Sequence, residues 1–234
     1  RRMFSLAQQD GLVTNRPYFP MLRENNVRTG FFEREQYREV KGYLPAELRP
    51  VVTFAYFTGW RIQSEILSLE WRQVDMTACV VRLDAGTTKN GQGRVLPFAQ
   101  LEELRSVVEA QDELRKKLTR RGIICRWVFH REGKAIRSFR VAWKAACDKA
   151  GCPGRIPHDL RRTAVRNFER AGVPRSVAMQ ITGHQTESVY QRYDIVDEAD
   201  LVDGLGRLGS SGHTLGTLSP PEASSGSRPK RVSN

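Results

Sequence analysis

Arg61 follows Thr58-Gly59-Trp60, where a glycine breaks an apolar run and a new helix is expected to open. A planar guanidinium at a helix start can grip a phosphate, and the free N–H groups of the helix add positive potential. Lys89 stands beside Asn90-Gly91, the strongest short hairpin signal, because both turn positions need positive φ. A lysine on a stiff turn can reach one point, such as a leaving oxygen in a DNA groove. His158-Asp159-Leu160-Arg161 sets a histidine and an arginine at i and i+3, on one helix face, where both can converge on one group. In Thr182-Gly183-His184 the glycine ends one helix and the histidine stands at the following turn. Tyr193 comes nine residues after His184. Its hydroxyl, with a pKa near 10, becomes a nucleophile only beside a base or a strong positive potential. Tyr190, three residues earlier on the same expected helix, competes for that role.

Taken singly, each feature has a plainer reading that is far commoner. Arg61 is one of 38 basic residues. Lys89 can be a solvated turn lysine, the i, i+3 spacing recurs in many helices, and most tyrosines and lone histidines serve packing. The weight lies in the order and in the elements that must hold these residues. Helical patterns cover residues 33–41, 45–57 and 62–71. Residues 79–98 switch to a β-hairpin, with Val80, Val81 and Leu83 mirrored by Val95 and Leu96. Residues 100–120 read as a highly charged helix, 126–130 as a short strand and 136–150 as an amphipathic helix. Helices follow over 158–171, with Gly172 as its C-cap, and over 174–182, opened by Pro174. A further helix carries Tyr190 and Tyr193. Leu201, Leu205 and Leu208 mark one more short helix, weakened by Gly204 and Gly206. Residues 1–13 also have helical spacing. The sum is mainly α with a small antiparallel β-sheet or hairpin, an α+β fold class.

With 234 residues the chain is long enough for one domain with a real core. A formal charge of +12 and a pI near 10.0 make polyanions the natural partners. Cys79, Cys125, Cys147 and Cys152 form no C-x-x-C pair and match no zinc spacing, so a reducing cytoplasm is expected. No apolar run approaches the roughly 20 residues that span a bilayer, and no signal-peptide core follows the N-terminus. From residue 209 the composition shifts to Ser, Gly, Pro and Thr, which predicts a disordered tail.

The ordered series T-G-x-R, hairpin lysine, H-x-x-R, G-H and a tyrosine nine residues on resembles the tyrosine recombinases of the phage integrase type. The surrounding S-E-I-L-S-L-E-W, T-K-N-G-Q-G-R-V-L-P-F and H-D-L-R-R-T-A fit as well. The resemblance implies a catalytic domain over 28–208, preceded at 1–27 by the end of a truncated DNA-clamping region with its linker, and followed by the tail at 209–234. It implies that Tyr193 attacks a scissile phosphate and leaves a 3′-phosphotyrosine. Arg61 and Arg161 would stabilise the charge on phosphorus, Lys89 would protonate the 5′ leaving oxygen, His158 would move the tyrosine proton, and His184 would hydrogen-bond the phosphate. It implies no cofactor, metal or ATP. The expected partners are double-stranded attachment-site DNA, three further copies in a tetramer, and an accessory directionality protein, in a prokaryotic cytoplasm. The long tail favours the integrase of a mobile element. A type IB topoisomerase-like enzyme and a non-catalytic DNA-binding remnant are the competing readings. In one respect the sequence departs from the family pattern. The acidic residue usually found three positions after the first arginine is here Glu65, four positions after Arg61; on a regular α-helix that extra residue turns it away by about 100°.

Overall fold

A computed structural model describes residues 2–20, 30–86, 91, 93–194, 196 and 198–210. The chain divides into two units, Arg1–Ile195 and Val196–Asn234.

The first unit begins with α1 (Arg2–Gln9). After it come α2 (Arg34–Tyr43) and, past a short 3-10 turn at Ala46–Leu48, α3 (Arg49–Thr58). α2 is opened by a capping box in which Glu33 and Gln36 satisfy each other's backbone N–H groups. α3 is the axis of the core. Val51, Val52 and Phe54 are buried, and the Phe54 ring meets Trp60 and Phe129 edge-on at 5.4 and 5.5 Å. Fully burying a side chain of this size stabilises the fold by roughly 1.5–3 kcal/mol. Three helices pack around α3: α2, α4 (Glu102–Arg120) and α6 (Asp159–Arg170).

A three-stranded antiparallel sheet stands beside this bundle, in the order β1 (Val74–Asp75), β2 (Val80–Leu83), β3 (Arg94–Pro97). Its register pairs Val81 with Leu96 and Leu83 with Arg94. Val81, Leu83 and Leu96 are buried and Val95 is exposed, the alternation expected of a one-sided sheet. The expected hairpin is thus present in its strands. Gly91 has the positive φ, 70°, that the turn signal required; Lys89 and Asn90 lie outside the described residues. A two-stranded ribbon, β4 (His130–Arg131) with β5 (Lys134–Ala135), leads to α5 (Arg140–Lys149). Beyond α6 come α7 (Arg175–Thr182) and α8 (Glu187–Gln191).

Several boundaries differ from the sequence expectation. Residues 62–71 do not form one α-helix: a π turn spans Ile62–Ile66 and a 3-10 turn spans Trp71–Gln73. Of the strand expected over 126–130, His130 lies in β4 and the rest is reduced to a bridge between Trp127 and Glu70, flanked by backbone bonds from Trp71 to Arg126 and from Val128 to Leu69. Residues 126–128 are pinned to one short neighbour, so no ladder extends. The helix expected from residue 136 starts at Arg140, because Ile136 is buried from the extended segment that leaves β5. Tyr193 lies not in α8 but in the turn after it.

In the second unit, α9 (Glu198–Ser210) has acidic residues in its first turn and Leu201 and Leu205 on one face. It runs past residue 209, where a disordered tail was expected to begin; residues 211–234 lie outside the described set. Among the described residues no helix is long and apolar enough to cross a membrane.

Candidate active site

The first arginine is delivered by a helix end that only glycine can make. α3 closes at Gly59 in the left-handed conformation, φ 65°. A Cβ there would meet Ala164 and Thr182 side chains at 3.1 Å, so both backbone and space require glycine. Trp60 then turns inward and donates its indole N–H to the Ile181 carbonyl, 2.8 Å. Arg61 is extended, and the chain enters the π turn, with Ile66 N–H bonded to Arg61 O at 3.2 Å and Leu67 N–H to Ile62 O at 2.8 Å.

That wide turn resolves the displaced acidic residue. A π turn accommodates one more residue than an α turn, and such turns recur at functional sites. The additional residue between Arg61 and Glu65 is absorbed here, so Glu65 faces the site. Glu65 is buried. Its Oε2 accepts the Arg61 backbone N–H at 2.8 Å and its Oε1 accepts Arg61 Nη1 at 2.7 Å. The rotation expected from a regular helix therefore does not occur, because the helix is not regular at this point.

α6 supplies the second arginine from beneath. Arg161 is buried, and its Nη1 donates to the carbonyls of Gly59 and Thr182 at 2.5 and 2.6 Å. Its Nη2 lies 3.0 Å from His184 Nε2. A guanidinium can only donate, so Nε2 accepts and the proton of neutral His184 sits on Nδ1. Nδ1 in turn lies 2.7 Å from Thr182 Oγ1, whose own hydrogen goes to the Ala178 carbonyl at 2.8 Å. Burial, and then the charges of Arg161, Arg61 and Arg94, push the His184 imidazole down to about 3. Burial and the nearby Arg61 also lower Arg161.

His158 caps the start of α6 and meets the tyrosine. Its Nε2 lies 3.0 Å from Tyr193 Oη. His158 keeps an exposed edge, yet desolvation by the atoms around it and the positive charges of Arg161 and Arg162 push it down to about 4. At neutral pH it is uncharged and can accept the tyrosine proton. The guanidinium carbons of Arg162 and Arg161 stand 5.3 and 5.7 Å from the Tyr193 ring centre. Tyr190 is placed otherwise. It is wholly buried against Val165 and Ala178, and burial and the neighbouring Glu169 raise its pKa. Of the two tyrosines, Tyr193 has the base at its hydroxyl, whereas the cation near Tyr190 is Arg175, 5.8 Å from the centre of its buried ring.

Five of the six expected residues, Arg61, His158, Arg161, His184 and Tyr193, are thus brought into one connected cluster; the sixth, Lys89, lies outside the described residues. One member of the cluster carries no motif. Arg94, at the start of β3, sits 2.5 Å from Glu65 Oε1 through Nη2. Its signal was the strand alternation: it shares the inward face with Leu96 and pairs with Leu83, both buried. Two guanidinium groups, Arg61 and Arg94, therefore share the Glu65 carboxylate, and a third, Arg161, is held in the same cluster by carbonyls and His184. Such an excess of buried positive charge favours a polyanionic ligand, and a tyrosine with a neutral base beside it can attack phosphorus. Among the described residues no group of three or more His, Cys, Asp or Glu side chains could hold a metal ion.

A family model, described as the phage integrase family, matches residues 32–199. The integrase of Salmonella phage P22 is 26% identical over 196 residues, covering 78% of this chain and 48% of the relative. The chain spans about half the length of the curated relatives it matches. Among solved structures, XerA recombinase is similar with a TM-score of 0.64 at 19% identity, over 81% of this chain and 67% of that one. The Tn1549 transposon integrase in complex with circular intermediate DNA also gives 0.64, at 16% identity, over 87% and 75%. These likenesses show a shared fold.

Proposed function

This chain belongs to the phage integrase family, and we propose that it cleaves and rejoins DNA strands at specific sites through a phosphotyrosine formed on Tyr193, for the integration or excision of a mobile element. The observation that carries the proposal is the 3.0 Å contact between Tyr193 Oη and neutral His158 Nε2, set against a cationic cluster with more guanidinium groups than carboxylates.

In the proposed reaction Tyr193 Oη attacks the scissile phosphorus and passes its proton to His158. The bond to the 5′-oxygen breaks, and Lys89 protonates that oxygen. Arg61 and Arg161 balance the charge that builds on the non-bridging oxygens. His184 acts on the phosphate through Arg161, since both its ring nitrogens are already engaged. The phosphotyrosine keeps the energy of the phosphodiester, so a 5′-hydroxyl from another strand can reverse the attack and complete the exchange. Basic residues away from the site would contact backbone phosphates and fix register. The working form is a tetramer on two DNA sites in a prokaryotic cytoplasm, with α9 as the helix exchanged between copies and an accessory protein setting direction. Removal of residues 197–234 should then abolish synapsis of paired sites; unchanged synapsis overturns that part.

The test of the chemistry uses nicked duplex pools cut from DNA flanking the reading frame. A denaturant-stable protein–DNA adduct should form with the natural chain and vanish with Tyr193→Phe. An adduct that persists in Tyr193→Phe would move the nucleophile to Tyr190. Binding without any adduct would favour a non-catalytic DNA-binding protein, and relaxation of supercoils without paired sites a topoisomerase.

A further inference from the structure

Arg94 enters the cationic cluster from the sheet, whereas Arg61 and Arg161 come from helix ends. Its side chain is only 8% exposed, so it is poorly placed to grip DNA itself. Its contacts are to the groups that hold the other two arginines. Glu65 Oε1, 2.5 Å from Arg94 Nη2 in an ionic contact, also receives Arg61 Nη1 at 2.7 Å. The Thr182 carbonyl accepts Arg94 Nη1 at 2.9 Å and Arg161 Nη1 at 2.6 Å. The Arg94 guanidinium lies 5.0 Å from the ring centre of Trp60, the residue before Arg61. The loop after α7 is shaped around it: a Cβ on Gly183 would come within 3.0 Å of the guanidinium.

We propose that Arg94 is a positioning residue for strand cleavage, fixing the spacing of Arg61 and Arg161 by holding the two acceptors they share with it, Glu65 Oε1 and the Thr182 carbonyl. The inference rests on the strand-cleavage reading above. The physical need is specific. A carboxylate with one arginine partner tends to take a bidentate grip that covers the planar fork. Arg94 shares Glu65 Oε1 while the Arg61 backbone N–H takes Oε2, so Arg61 can keep donors free for a phosphate. Stability alone gives no reason to place Arg94 here. Burial lowers its pKa, Glu65 offsets only part of that, and Arg61 adds repulsion, so a buried pair of this kind is weak evidence for a purely stabilising role.

The experiment compares the full chain with Arg94→Met and Arg94→Lys on a nicked duplex that the natural chain cleaves. Single-turnover adduct formation, DNA affinity and melting temperature are read together. Arg94→Met should keep DNA affinity and slow adduct formation about 10- to 100-fold, the effect of misplaced charge-assisted donors. Arg94→Lys, which can meet Glu65 but not Thr182 as well, should fall between. On a duplex whose scissile phosphate is replaced by methylphosphonate, one non-bridging charge is absent, so the gap between natural chain and Arg94→Met should narrow. The inference is overturned if Arg94→Met cleaves as fast as the natural chain. It is equally overturned if both duplexes lose affinity and cleavage in parallel with a lower melting temperature, which a structural role alone would give. If the natural chain itself forms no adduct, the strand-cleavage reading falls first and this inference with it.

Discussion

α4 and the cationic cluster are built from the same residue types and do opposite things with them. α4 carries five acidic and five basic side chains, and apart from those that buried Asp112 makes with Arg115 and Lys116 its ion pairs stand in water. Arg105–Glu102 and Lys116–Glu113 are 44%/67% and 49%/58% exposed, so they screen easily and add little. In the cluster Glu65 is fully buried between Arg61 and Arg94, while Arg161 is satisfied by carbonyls and a histidine. There the charge is unbalanced and removed from solvent. Balanced, wet charge keeps a surface soluble. Unbalanced, dry charge costs stability that is recovered when an anion binds, which marks a site.

The difference is tested most severely at Glu65. Glu65→Gln leaves Arg61 and Arg94 without their shared carboxylate. Breaking a buried pair in this way costs about 3–5 kcal/mol, or a melting temperature lower by roughly 10 °C for a domain of this size. Adduct formation should fall with it, because Arg61 loses its anchor. A Glu65→Gln protein that melts and cleaves like the natural chain would mean the π turn, and not the carboxylate, holds Arg61.

Two glycines sharpen the same comparison. Gly183 and Gly172 both have positive φ, 74° and 69°, and both follow a helix. A Cβ on Gly172 would meet nothing within 4 Å, whereas one on Gly183 would collide with Arg94. Gly172→Ala should therefore cost only the left-handed backbone term, about 1–2 kcal/mol. Gly183→Ala should cost more and should slow cleavage as Arg94→Met does. Equal melting temperatures and equal cleavage rates for the two alanine variants would show that the Gly183 loop does not depend on Arg94.

Much of this site was legible because its residues sit at boundaries that sequence marks well. Gly59, Gly172, Pro174 and Gly183 end or open helices where they were expected, and the β2–β3 pairing follows the β-prone residues. Two things were not legible. The π turn at Ile62–Ile66 has no local signature; Glu65 bonds back to Arg61 across it and reaches Arg94 in the sheet. Arg94 resembled any strand arginine, because its partner Thr182 is 88 residues away. Only its inward register with Leu96 distinguished it. The choice between Tyr190 and Tyr193 likewise needed the packing of Val165 and Ala178, which no spacing reveals.

A pH scan separates the two regions by their protons. His184 has a folded pKa of about 3, below the unfolded value near 6.5. Between these values the unfolded chain binds a proton that the folded chain does not, so stability is complete above about 6.5 and falls as pH drops, by up to about 1.4 kcal/mol per pH unit. His130 is also lowered by burial and adds to the trend. The denaturation midpoint should therefore decline from pH 7 to pH 5, and less steeply in His184→Gln. Cleavage should not show the ordinary histidine inflection, because His158 remains neutral down to about 4.

The smallest expected effect is the control on which the comparison depends. Glu113 is ion-paired to Lys116 at 2.8 Å, a distance much like that between Glu65 and Arg61. Its carboxyl is held below the usual range first by the hydrogen bond from Lys116. Distance alone would make the two pairs equivalent. Glu113, however, is open to water, which solvates both partners when the pair is broken. Glu113→Gln should thus leave melting temperature, adduct formation and their salt dependence unchanged within error. If it instead lowered the melting temperature as Glu65→Gln does, burial would not separate the two regions. The cluster's charge excess would then be ordinary surface charge, with no claim on a phosphate.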